Sequence, residues 1–231
     1  MGWLAGGASE AAMRLLDLFC GAGGAAVGYS RAGFDEIVGV DHRPMPRYPF
    51  KFVQADALEF VKSYGAGFDA IHASPPCQHY SVSIVNRYAE KRADYPDLVP
   101  STRKALAHTG RAFVIENVPG APVRPDLVLC GSQFGLGVAR HRRFEMNWPI
   151  FHLTPPCTHP EILVGVYGTG TASWIRRKRI AKGLHPHHGK AEQEQAMGIT
   201  HMSAEELSQA IPPAYTEYIG KQLLQHLKAT G

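Results

Sequence analysis

The 231-residue chain is 45% hydrophobic and 19% charged, the balance of a globule able to bury its own core. No apolar run approaches the roughly 18 residues that a membrane span needs, and residues 1–12 lack the basic start and long apolar stretch of a secretory leader. The net charge of +4 is modest, but six Lys or Arg and no acid lie between Thr171 and Lys190, a local field suited to a polyanion.

Residues 1–12 read as a loose tail. Met13 to Phe19 is an apolar strand carrying one acid, Asp17, and Gly21-Ala-Gly23-Gly24-Ala-Ala26 follows before a helix that ends near Gly33. Strand, glycine turn and helix make a βα unit whose helix N-terminus can hold a ligand. Glu36 to Val40 is a second strand ending on Asp41, twenty residues after Gly21, the spacing at which an acid meets ribose hydroxyls. A third strand, Phe52 to Asp56, leads into a helix over Ala57 to Tyr64. The next strand starts at Phe68 and is stopped by Pro75-Pro76, which leaves the thiol of Cys77 at its carboxyl end. Tyr80 to Pro100 is polar, turn-rich and long enough to be a lid or binding loop.

A helix over Ser101 to Thr109 and a buried strand over Ala112 to Ile115 then reach Glu116-Asn117. Leu127 to Cys130 and Arg143 to Trp148 are two further strands. From 149 to 190 prolines, scattered glycines, the basic run and His185-Pro-His187-His188 mark an inserted small region with no continuation of the sheet. Short helices over Glu192 to Met197 and Ser203 to Ala210 and a closing helix over Ala214 to Leu227 complete residues 191–231. Alternating strands and helices predict a doubly wound, Rossmann-like α/β domain over 13–148 with a small insertion. Cys20, Cys77, Cys130 and Cys157 show no CxxC pairing, which reads as a reduced, intracellular protein with no zinc or other metal site. Cys157, after Pro156, is the one rival thiol to Cys77 but follows no buried strand. The histidines of 185–188 suit solvent or phosphate better than metal.

The glycine turn with Asp41 also fits a nicotinamide dinucleotide, so an oxidoreductase is a rival reading. Asp17 points elsewhere, because a carboxylate before the glycines suits a cationic ligand, unless it merely caps the next turn. Phe19 can stack on an adenine face and Asp56 can accept from its amino group; adenosine carrying a sulfonium is S-adenosylmethionine. A thiol, a carboxyl group and a methyl donor in one crevice match one chemistry. Thiolate addition to carbon 6 of cytosine makes carbon 5 nucleophilic, and an acid at Glu116 assists by protonating ring nitrogen 3.

These segments resemble the cytosine carbon-5 DNA methyltransferase family. Leu16 to Gly24 is similar to its cofactor motif, Pro76-Cys77-Gln78-x-Tyr80-Ser81 to its nucleophile motif, Glu116-Asn117-Val118 to its base-protonating motif, and Arg140-x-Arg142 to its arginine motif. The resemblance implies Cys77, Glu116, Arg140 and Arg142 as catalytic. It implies Asp17, Phe19, Gly21, Gly23, Gly24, Asp41, Asp56, Pro76 and Gln209 around S-adenosylmethionine. Gln78, Ser81 and Asn117 would face nucleic acid, with Asn117 also holding the Glu116 segment, and Arg176, Arg177, Lys178 and Arg179 would meet phosphates. It further implies a flipped base in double-stranded DNA and a short target-recognition region at 149–190. The small region gives no sign of a dimer, so a monomer without an obligate protein partner is the default expectation, with a cytoplasmic, nucleoid-associated location. Val138 stands where the family has Gln, and Ser208-Gln209 where it has Gly-Asn. Transfer to cytosine in tRNA, or an idle DNA-binding relative, remain alternatives.

Overall fold

The computed structural model describes residues 12–80, 95–159, 164–166 and 173–230. Strands β1 (Arg14–Leu18), β2 (Glu36–Asp41), β3 (Lys51–Gln54), β4 (Ala70–Ala73), β5 (Ala112–Asn117), β6 (Leu127–Leu129) and β7 (Arg142–Met146) form one sheet in the order β3-β2-β1-β4-β5-β7-β6. The first five pair in parallel; β7 runs antiparallel to β5, and β6 antiparallel to β7. The central strands are nearly continuous apolar runs because helices cover both faces of a parallel sheet.

Successive residues of a strand point to opposite faces, and β1 shows the consequence. Leu15 packs with Tyr29, Tyr215, Ile219 and Leu223, from helices α1 (Gly24–Ala32) and α7 (Pro213–Thr230). Leu16 and Leu18 pack with Ala57 and Val61 of α2 (Ala57–Tyr64) and with Val99, Ala105 and Leu106 of α3 (Val99–His108). The chain moves outward from β1 to β3, then returns to β4 on the other side of β1. The carboxyl ends of β1 and β4 therefore flank the point where strand order reverses, and crevices in open α/β sheets form there.

A third apolar cluster joins Ala22 of the glycine turn, Val138 and Val166 to Ala196, Met197, Ile199, Met202 and Leu207. The last five come from α5 (Lys190–Met197), α6 (Ala204–Gln209) and the segment between them. The doubly wound core, the two edge strands and the late helices agree with the sequence reading. A helix inside the basic run, α4 (Ser173–Ala181), was not expected. Four consecutive cations hide its apolar stripe, yet Ile175 and Arg179 share one buried face at helical spacing.

Candidate active site

The first strand ends in strained backbone. Phe19 has φ 55°, the only positive value for a non-glycine among the described residues, and its ring packs partly against the α2–α3 side of the core. Gly23, at φ 88°, precedes α1, and a Cβ there would lie 2.7 Å from Pro49 Cδ. Asp41 holds this turn from the neighbouring strand: its Oδ2 accepts from Gly21 N at 3.1 Å and its Oδ1 from Arg43 N at 3.1 Å. Gly24 is closed in by the opposite end of the chain, where a Cβ would sit 2.7 Å from the Ile211 carbonyl oxygen. Gln209, the last residue of α6, is exposed, and so is Asp56. Asp56 Oδ1 accepts from Leu58 N and Glu59 N at 2.9 Å each, so that oxygen caps α2.

Asp17 is fully buried. Tyr48 donates to its Oδ2 at 3.3 Å, and its Oδ1 has no hydrogen-bond partner among the described residues. Burial pushes its carboxyl group up to about 8; the Tyr48 bond opposes the shift and the charge of Asp41 adds to it. The unpaired buried Asp17 oxygen can accept from a cationic or donor group of a ligand, and the uncapped N-terminus of α1 beside the glycine turn can donate to an anionic one.

The second half of the site lies across the strand reversal. β4 ends at Ala73, and Ser74-Pro75-Pro76 carries the chain to a half-buried Cys77, after which Gln78–Tyr80 form a single 3-10 turn. Glu116 and Asn117 end β5, the neighbour of β4. Asn117 is buried, and its Nδ2 donates to the Pro75 carbonyl oxygen at 2.8 Å while Val118 N donates to its Oδ1. One amide thus ties the nucleophile loop to the acid's strand. Placed so, Asn117 acts as a clamp; its grouping with DNA-facing residues is not how the fold uses it.

Arg142 Nε lies 2.8 Å from Glu116 Oε1, a close and largely buried ion pair. Burial raises the Glu116 carboxyl above its ordinary value, opposed by Arg142, the Ser74 hydroxyl and Arg140. Burial also raises the Cys77 thiol; the charge of Glu116 adds to the shift, and Arg142 and Arg140 oppose it. Cys77, Glu116 and the two arginines therefore share one electrostatic site. Arg140 is buried, with Nη1 donating to Val166 O at 3.0 Å and Nη2 to Ser208 O, while its own carbonyl accepts from Tyr215 Oη at 2.7 Å. It bridges the β-sheet, the small region and the end of α6.

Of the residues expected on nucleic acid, Gln78 is half-buried and Ser81 lies outside the described residues, as does most of the Tyr80 to Pro100 loop. Arg176, Arg177 and Lys178 are exposed on α4. Arg179 corrects the expectation. It is buried, bonds to His185 O at 2.7 Å and His188 Nδ1 at 2.8 Å, and pairs with Glu192 at 3.2 Å. Its guanidinium holds the small region to α5 and is not on the surface where a phosphate would reach it. His188 is buried in the same network, so the solvent-facing reading of that histidine also fails.

Two residues at the cofactor turn escaped the sequence reading. Tyr48 covers Asp17 and presses on β2, where a Cβ at Gly39 would meet its ring at 2.3 Å; a glycine inside a strand is the signal of such an approach. His201 Nε2 bonds Ala22 O at 2.9 Å across 179 residues, a contact with no local signal.

Residues 13–123 match the model of the C-5 cytosine-specific DNA methylase family. The chain is 28% identical over 167 residues to the Type II methyltransferase M.AgeI of Thalassovita gelatinovora, covering 57% of this chain and 38% of that one. It is 28% identical over 144 residues to M.XorII of Xanthomonas oryzae pv. oryzae, covering 56% and 30%. The matches thus span about a third of these relatives' lengths. The fold resembles that of the S. pombe Dnmt2 methyltransferase, with TM-score 0.56, 13% identity, and 93% and 99% of the two chains covered. It also resembles an E. coli prophage-encoded protein assigned as a DNA modification methyltransferase, with TM-score 0.60, 17% identity, and 94% and 99% covered.

Proposed function

We propose that the chain transfers a methyl group from S-adenosylmethionine to carbon 5 of a flipped cytosine in double-stranded DNA, with Cys77 as nucleophile and Glu116 as acid. The observation that carries this is the pairing of Cys77 and Glu116 at adjacent strand ends, locked by the Asn117 bond to Pro75 and flanked by Arg140 and Arg142. Burial is the larger reason that the Cys77 thiol is raised, and a proton on Glu116 removes the second, leaving Arg142 and Arg140 to favour the thiolate.

In that state the Cys77 sulfur adds to carbon 6, and Glu116 delivers its proton to ring nitrogen 3 as electron density moves there. Arg142, beside Glu116, and Arg140 stabilise the negative charge that develops on the ring. When bound, S-adenosylmethionine supplies the methyl group that carbon 5 accepts. Loss of the carbon-5 proton to solvent water then expels the Cys77 thiolate, ring nitrogen 3 returns its proton to Glu116, and the aromatic ring is restored. Carbon 6 cannot be reached inside a base stack, so the cytosine must leave the duplex. Asp17, Phe19, the Gly21–Gly24 turn and Asp41 would hold the methyl donor; the unpaired Asp17 oxygen is what favours a cationic one. Residues 149–190 serve as the target-recognition region, and likeness to Type II methyltransferases favours modification of a defined sequence.

The test is mass spectrometry of nucleosides from duplex DNA incubated with the protein and S-adenosylmethionine. A new 5-methylcytosine peak that disappears in Cys77→Ala, with binding of the methyl donor retained, is the expected result. Product formed by Cys77→Ala would move the nucleophile elsewhere. Product on tRNA and none on DNA would change the substrate, and binding of DNA without any transfer would point to an idle relative.

A further inference from the structure

Away from the Cys77–Glu116 pair, four soft or imidazole donors meet. Cys130 follows β6, His141 stands one residue before β7, and Cys157 and His159 lie at the start of the small region. One ligand atom from each falls within 4.8 Å of all the others. Cys157 Sγ is 3.4 Å from His141 Nε2 and 3.2 Å from His159 Nε2, and Cys130 Sγ is 3.6 Å from His159 Nε2. A tetrahedral zinc with Zn–S of about 2.3 Å and Zn–N of about 2.0–2.1 Å needs sulfur–nitrogen edges of about 3.5 Å. The three contacts scatter around that value.

We propose that Cys130, His141, Cys157 and His159 form a structural zinc site that fastens the small region to the β6–β7 edge. Two thiolates and two neutral imidazoles would give a closed, uncharged coordination sphere, and binding would release two thiol protons. Thiolate plus imidazole in tetrahedral array selects zinc over the hard divalent cations, which prefer oxygen. A supporting shell is in place. Ser132 Oγ lies 3.5 Å from Cys130 Sγ and 3.7 Å from Cys157 Sγ, and it accepts from Thr158 N at 3.2 Å. Gln133 reaches across to Thr154 Oγ1 and the Pro155 carbonyl oxygen while its Oε1 accepts from Cys130 N. These bonds orient the loop that carries Cys157 before any ion arrives.

The spacing explains why the sequence reading, which expected no zinc, passed over the set. The ligands lie 11, 16 and 2 residues apart, with no CxxC pair to announce them. His141 also sits between Arg140 and Arg142, so the ion would set where the small region begins relative to both arginines. Nothing in this proposal depends on the methyl-transfer reading.

The experiment uses the full chain, purified reduced, with elemental analysis for zinc and, after stripping, titration with Co2+. About one zinc per chain is expected, and Co2+ should give the visible bands of a tetrahedral site with a thiolate charge-transfer band. Cys157→Ser should lose much of the charge-transfer intensity, and His159→Ala should weaken Co2+ by about 100-fold or more. Both residues are exposed, so the fold should survive, as circular dichroism will show. Cys77→Ala, which removes a thiol outside the set, should keep the spectrum. Zinc-free protein with no cobalt–thiolate band, a Cys130–Cys157 disulfide found by mass spectrometry without reductant, or equal binding by a Cys157→Ser/His159→Ala variant would each overturn the site.

Discussion

A carboxyl group sealed from water and given a single donor keeps its proton, and Asp17 is in that position. Its folded value of about 8 stands above the ordinary 3.8 because burial disfavours the charge. Between those two values the folded chain holds a proton that the unfolded chain has released. The stabilisation from this group is therefore complete below about pH 4 and is lost as pH rises toward about 8. Asp17→Asn removes that slope while preserving shape and an acceptor for Tyr48. Urea unfolding at pH 5 and pH 8 should show the wild type losing on the order of 2–4 kcal/mol relative to the variant across that interval. Parallel pH dependences in the two proteins would mean that Asp17 is ionised or hydrated in the fold. In the proposed function a methyl donor with a positive sulfur would suit this residue, because a cation is what would make the ionised carboxylate favourable.

At the scale of elements, the site depends on α1 keeping its N-terminus against the strand reversal, and α7 holds α1 there. The two helices cross at glycines. A Cβ at Gly28 would come within 2.0 Å of Thr216 Oγ1 and 2.1 Å of Pro213 O, and one at Gly220 within 2.7 Å of Ala32 Cβ. Thr216 Oγ1 closes the contact by donating to Ala25 O at 2.8 Å. Gly28→Ala must push backbone apart, so a loss of about 1–3 kcal/mol or more is expected despite its better helix propensity. Gly67→Ala, with nothing within 4 Å of the new methyl, serves as the comparison. Equal denaturation midpoints would show that the crossing tolerates a methyl group. Little of this contact was visible in the chain itself, since its two glycines look like any others. The strands, by contrast, were legible to within a residue or two, because apolar runs stopped by Gly, Asp or Pro-Pro leave few alternatives. Cys77 and Glu116 could be read together because they stand at or after the ends of strands that topology must bring side by side, whereas Arg142 was picked out only through the motif resemblance. Tyr48, His201 and Asn117's grip on Pro75 were not legible, since each depends on the path of a loop.

Across the whole molecule, charge is what would join the proposed site to a polyanion, and the fold divides the basic run into two parts. Arg176, Arg177 and Lys178 face solvent on α4, whereas Arg179 is spent inside on Glu192, His185 and His188. A helix of this length turns through about 100° per residue, so one cation of four consecutive ones must point inward when Ile175 does. Under the proposed function the outward three would displace counterions from a duplex, each phosphate neutralised contributing about 0.9 to the slope of log affinity against log salt. Replacing Arg176, Arg177 and Lys178 together with Gln should weaken duplex binding at low salt. The magnitude of that slope should fall by about 2–3, with the thermal midpoint little changed, because surface charges contribute little to stability. Arg179→Gln should do the reverse: it leaves Glu192 and His188 without their shared partner and lowers the melting temperature while the salt slope stays near the wild-type value. Salt titrations of binding to one duplex, run on both variants beside thermal melts, separate the two. A triple variant with an unchanged slope would remove α4 from the DNA face and leave phosphate binding to the loop after Tyr80.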